Sequence, residues 1–95
     1  MLKTKKFDVI DYLKTEKDIK EYLEVVLEEK DYTYLPVALA DIARARKAMT
    51  TAAKAAGVTR TNLYQSLSEE GRPAFDTVAK VAHSLGYKIT LTPIT

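Results

Sequence analysis

Cysteine does not occur in this chain, and histidine occurs once, as His83. The first absence excludes a disulfide framework, a thiolate nucleophile and any zinc site built on thiolates. With only one imidazole beside it, no metal centre or catalytic constellation can be assembled, and no cofactor is expected. His83 itself reads as a surface residue in the last turn of a helix, where a cation is mildly favoured. The carboxylates fall on amphipathic helix surfaces instead of pairing in a pocket, so the chain does not read as an enzyme. Long apolar runs are missing too. None approaches the length of a membrane span, and Met1-Leu2-Lys3-Thr4-Lys5-Lys6 leads into a charged segment, not a signal-peptide core. No membrane partner is expected, and the cytoplasm is the simplest compartment. There is no repeat and no low-complexity tract.

Ninety-five residues make one domain, small enough to bury only about two-thirds of its unfolded surface. Such a thin core often gains stability from a partner subunit. The net charge of +2 is small, but it is unevenly placed. Residues 1–30 carry seven Lys against eight acids, net −1. Between Asp41 and Leu67, Arg44, Arg46, Lys47, Lys54 and Arg60 face Asp41 alone, net +4.

That basic stretch contains the most informative pattern in the chain. Thr51 to Ala56 is almost wholly Ala, Gly57 follows, and Val58-Thr59-Arg60-Thr61-Asn62-Leu63-Tyr64-Gln65-Ser66-Leu67 completes it. This is the pattern of a helix-turn-helix, a device for placing a short polar helix in the DNA major groove. Small side chains let the two helices cross closely, and a bulky residue at Ala53 would wedge them apart. Gly57 stands where a left-handed residue ends a helix at little cost. Thr59 is a suitable N-cap for the second helix, with Leu63 and Leu67 inward and Arg60, Thr61, Asn62, Tyr64 and Gln65 outward.

Candidate contacts follow from this docking mode. Arg60, Thr61 and Gln65 are the base readers: Arg60 matches guanine and Gln65 adenine, while Thr61 suits a thymine methyl or a phosphate. Arg60 on a phosphate is the alternative. Thr50 and Thr51 open the first motif helix, where free N–H groups bind phosphate. Lys54, Asn62, Tyr64, Arg44, Arg46 and Lys47 complete the backbone set. Tyr64 has a second reading as a half-buried surface aromatic, and the charges a second reading as a solvated face.

Around the motif the chain reads as helices. Asp8 caps one turn at Val9–Leu13, and Thr15 with Asp18 opens an amphipathic helix to about Lys30 with Ile19, Tyr22, Leu23, Val26 and Leu27 inward. Pro36 suits the first turn of a helix running to about Lys47. Ser68 to Pro73 is loop, and Phe75–Leu85 is a helix with Val78, Val81, Ala82 and Leu85 on one face, stopped by Gly86. Tyr87-Lys88-Ile89-Thr90-Leu91-Thr92 then alternates like a half-buried strand. Pairing across a two-fold axis, through Tyr87, Ile89 and Leu91, would close its open edge. Residues 7–10 are an internal alternative partner, and an extended tail packed on the helices is the other outcome.

Leu39 to Arg46, Gly57 to Tyr64, Leu67-Ser68-Glu69-Glu70-Gly71-Arg72-Pro73-Ala74-Phe75-Asp76-Thr77-Val78 and Ala82 to Gly86 together resemble the probable addiction-module antidote family. These are small antitoxins of the Xre/lambda-repressor-like class, similar to HigA, and the resemblance covers about residues 7–92. The string from Leu67 to Val78 is the specific part; the helix-turn-helix alone would suit any phage-type repressor. The resemblance implies an all-α, lambda-repressor-like five-helix domain that dimerises on double-stranded operator DNA. It also implies a cognate toxin of the RelE/ParE superfamily, usually an mRNA-cleaving RNase, neutralised by direct binding. The chain departs from the family at Lys47-Ala48, where members carry Gly or another small residue. It departs again at Ala74, where related repressors place a Ser or Thr N-cap.

The expected organisation is one domain: an N-terminal extension and helix over 1–30, a core over 34–86 and a terminal strand over 87–92. Because RNase toxins are typically basic and residues 1–30 are net acidic, Tyr12 and Tyr22 are the candidate toxin contacts. The competing reading is a protein-binding helical module that does not read DNA.

Overall fold

A computed structural model of the chain describes residues 8–30 and 32–94. They form a 3₁₀ turn at Val9–Tyr12 and then five helices: α1 Glu16–Glu28, α2 Leu35–Ala45, α3 Met49–Ala56, α4 Arg60–Ser66 and α5 Phe75–Ser84. The described residues are all-helical, as the periodicity requires. Among them, no helix is long and apolar enough to cross a membrane.

Local chemistry sets where the helices begin. Asp8 accepts the Ile10 N–H at 3.1 Å and starts the 3₁₀ turn. Thr15 and Asp18 form a reciprocal capping box, each accepting the other's N–H at 3.1 Å. Asp18 also accepts the Lys14 N–H at 3.0 Å. That bond, ahead of those from Thr15, holds its carboxyl below the ordinary carboxylate value. Pro36 lies in the first turn of α2, where its missing N–H costs nothing. Thr59 caps α4 by accepting the Asn62 N–H at 3.1 Å. Ala74 offers α5 no side-chain cap.

The helices end in a shared way. Gly57 (φ +74°) and Gly86 (φ +95°) take left-handed conformations after α3 and α5. The Val58 N–H returns to the Ala53 carbonyl at 3.0 Å, and the Tyr87 N–H to that of Ala82 at 2.9 Å. This is the Schellman arrangement. Lys47 does the same after α2, at φ +57°, with the Ala48 N–H on the Ala43 carbonyl at 2.7 Å. Lys30 takes φ +59° after α1. At Lys47 a long side chain thus sits in a conformation that glycine adopts cheaply.

α2 is the central helix, with Ala38 to Ala43 all buried. α3 lies along α5 in the most extensive of the helix contacts, and Ala52, Ala53, Val78, Val81 and Ala82 of the two helices are buried in the shared core. Leu63 and Leu67 anchor α4 into the same core. The loop from α4 to α5 is pinned at Gly71. A Cβ there would collide with the carbonyl oxygens of Gln65 and Ser66.

The strand expected at Tyr87–Thr92 requires correction. Among the described residues no strand forms, and 87–94 are irregular. A strand exists only through ladder bonds to a neighbour, and the helices offer none. Of the internal partner 7–10, Val9 and Ile10 coil into the 3₁₀ turn, and Phe7 lies outside the described residues. Tyr87 packs on the core instead of standing at an edge. Ile89 is exposed, and Leu91 is 95% and Ile94 99% exposed.

Two substitutions test this account. Gly71→Ala should destabilise the domain by about 1–3 kcal/mol, since backbone carbonyls cannot yield as a side chain tip does. Lys47→Gly should stabilise it by up to about 1 kcal/mol by removing left-handed strain. Urea midpoints at unchanged slope read both, and a less stable Lys47→Gly protein would refute the strain.

Candidate nucleic-acid interface

α4 is held by its two buried leucines, so its remaining residues face outward. Arg60, Thr61, Asn62, Tyr64 and Gln65 are all exposed, as are Thr50, Thr51 and Lys54 of α3. A concavity of about 330 Å³ opens where α2, α3 and α4 meet. Arg44, Lys47, Thr50, Arg60 and Tyr64 line it, together with Ile10 and Met49. Five of the candidate DNA residues thus converge on one dent. Thr51, Lys54, Thr61, Asn62 and Gln65 are exposed outside it.

Two arginines of the candidate backbone set are engaged within the domain. Arg46 makes a two-pronged bond to Glu16, Nε–H to Oε2 at 3.1 Å and Nη2–H to Oε1 at 2.8 Å. Its Nη1–H donates to the Leu85 carbonyl at 2.6 Å, and its guanidinium carbon stands 5.6 Å from the Tyr87 ring centroid. A planar fork satisfies such a set where an ammonium would not. The Glu16 carboxylate, above all, raises the Arg46 pKa against the opposing effect of burial. Arg46 ties the end of α2 to the start of α1 and the end of α5. Arg44 is engaged as well, with Nη2 at 2.7 Å from Asp8 Oδ2 and Nη1 at 3.6 Å from Asp41 Oδ1. Burial works against its charge, but Asp8 first and then Tyr64 and Asp41 outweigh this and raise its pKa. Of the five motif cations, Lys47, Lys54 and Arg60 are left without an ion-pair partner among the described residues.

Tyr22, a candidate toxin contact, is engaged as well. Its hydroxyl donates to Asp41 Oδ2 at 2.6 Å and stands 3.5 Å from the Tyr34 hydroxyl. It braces α1 to α2. Burial, reinforced by the Asp41 carboxylate, pushes the Tyr22 phenol far up. Burial also raises Asp41, while Tyr22 and Arg44 pull it back. Tyr12, by contrast, is 64% exposed. The sequence did hold one signal for this network: Asp41 is the only acid on the apolar helix α2, three residues before Arg44. His83 is exposed at the end of α5. No group of three or more residues able to hold a metal occurs among the described residues.

The chain as a whole has recognisable relatives. The chain is a member of the family described as probable addiction module antidote protein, which it matches over residues 3–93. It is also similar to an uncharacterised protein of Haemophilus influenzae, 44% identical over 81 residues that span 85% of this chain and 82% of the relative. No solved structure matches the chain. Family membership puts the protein on the antidote side of an addiction module and implies a cognate toxin partner.

Tyr22→Phe isolates the buried network. Removing the hydroxyl leaves the Asp41 carboxylate short of a donor and should cost about 1–3 kcal/mol at neutral pH. The Tyr22 bond favours the ionised form, so the folded-state Asp41 pKa should rise further in the variant. Its stability deficit is then fully present above that raised pKa and shrinks as pH falls through it. Denaturant unfolding at several pH values reads this, and a deficit independent of pH would refute the bond's role.

Proposed function

We propose that this antidote is a DNA-binding autorepressor that docks α4 in the major groove of its own operator. The observation that carries the reading is the division of α4, with Leu63 and Leu67 fully buried and Arg60, Thr61 and Gln65 exposed on its other faces. Arg60 has the fork for guanine O6 and N7, Gln65 the amide for adenine, and Thr61 a methyl group for thymine. Lys47, Lys54 and the exposed N-terminus of α3 at Thr50 and Thr51 supply phosphate contacts beside them. The fold this reading implies is lambda-repressor-like, and its operator is an inverted repeat with half-sites about one helical turn apart, bound by a dimer. The exposed Ile89, Leu91 and Ile94 are apolar area that a second copy would cover. The cognate toxin, by family resemblance, is a basic RNase of the RelE/ParE type, bound through the acidic N-terminal part in which Tyr12 is exposed.

Gel shifts on the upstream duplex test the reading. Affinity should fall steeply with salt, by a logarithmic slope of about 0.9 per phosphate contact. Arg60→Ala and Gln65→Ala should each cost about 1–3 kcal/mol and relax preference at one base position, whereas Lys54→Ala should weaken all duplexes alike. Binding that is absent for all upstream sequence, or unchanged between low and moderate salt, would overturn the proposal.

A further inference from the structure

The concavity beside α4 has an occupant at its edge that comes from the chain itself. Three cationic side chains, Arg44, Lys47 and Arg60, share its wall with the hydroxyl-bearing Thr50 and Tyr64, and no acid lines it. Such a wall selects an oxyanion: cations supply charge, and hydroxyls supply further donors. Ile10 of the 3₁₀ turn forms part of the same wall. Asp8, which caps that turn, reaches Arg44 at 2.7 Å.

We propose that the Asp8 carboxylate is an internal competitor for a phosphodiester site centred on Arg44. This rests on the DNA-binding reading above. Three features support the exchange. The Asp8–Arg44 pair is partly open to solvent on both sides, 32% for Arg44 and 42% for Asp8, and ion pairs of that kind are weakly held. The two oxygens of Asp8 have separate duties. Oδ1 accepts the Ile10 N–H at 3.1 Å while Oδ2 takes Arg44, so releasing Arg44 leaves the turn capped. Finally, Asp41 stands 3.6 Å from the other Arg44 nitrogen and keeps a released guanidinium over the concavity. A backbone phosphate then takes the place of Oδ2, and Arg44 joins Lys47 and Arg60 on the DNA. A partner that holds residues 8–12 away from α2 would strengthen DNA binding by freeing Arg44, without touching α4.

Asp8→Asn removes the charge and keeps an oxygen able to cap the turn. In the full-length protein it should tighten binding to any duplex by several-fold and steepen the salt dependence by about 0.9 logarithmic units, one more phosphate contact. Base preference should not change. Arg44→Gln in the Asp8→Asn background should abolish the gain, with circular dichroism reporting that both proteins are folded. If wild type binds its duplex and Asp8→Asn binds with the same affinity and salt slope, the competition is refuted while the DNA-binding reading stands. If neither protein shifts any duplex, both fall. Inorganic phosphate at constant ionic strength separates the sources of the oxyanion. A phosphate-dependent gain in melting temperature for Asp8→Asn, with no gain in duplex affinity, would assign the site to free phosphate and overturn the proposal.

Discussion

The closeness of α3 to α5 is the constraint on which the other helices depend. Ala52 and Ala53 are buried where α3 meets α5, and Ala82 answers them from the other side. One-carbon side chains let the two axes approach, as interdigitated packing requires. Because a turn of only three residues, Gly57 to Thr59, joins α3 to α4, any displacement of α3 would be passed to the exposed face of α4. Alanine contributes little apolar area in return. The larger burial comes from Leu39, Ile42, Leu63, Leu67 and Val81, and polar clamps tie down the periphery.

Much of this was legible in the residues. Thr15 with Asp18, Thr59, Gly57 and Gly86 marked helix ends through local chemistry that depends on near neighbours only, and they stand where that chemistry requires. The inward faces of α4 and α5 followed from spacing alone. What escaped was long-range. Arg44 and Arg46 look like free cations in sequence, and only the fold brings Asp8 and Glu16, 36 and 30 residues away, against them. Tyr22 read correctly as inward, but its bond to Asp41, 19 residues away, was not legible. Alternation at 87–92 reads as a strand because it registers side-chain period and says nothing of whether a partner edge exists. The helix ends near Lys30 and Lys47 were legible, but the left-handed backbone at those two lysines was not.

Charge placement changes meaning once these pairs are known. The basic excess read along the chain shrinks to Lys47, Lys54 and Arg60, all exposed near the start of α3 or on α3 and α4. Lys47 and Arg60 share the wall of the concavity, where charges of one sign focus the field on an anion. Within the string from Leu67 to Val78, Gly71 lets the loop press against the carbonyls that end α4.

Arg46 has one more consequence. It touches Glu16 at the start of α1, the Leu85 carbonyl at the end of α5 and Tyr87 beyond it. Both ends of the helical bundle are thereby fastened to the same point, the end of α2. Fraying at either terminus is therefore opposed in part by contacts that the other terminus makes. Amide exchange in α1 and α5 should accordingly be coupled through Arg46.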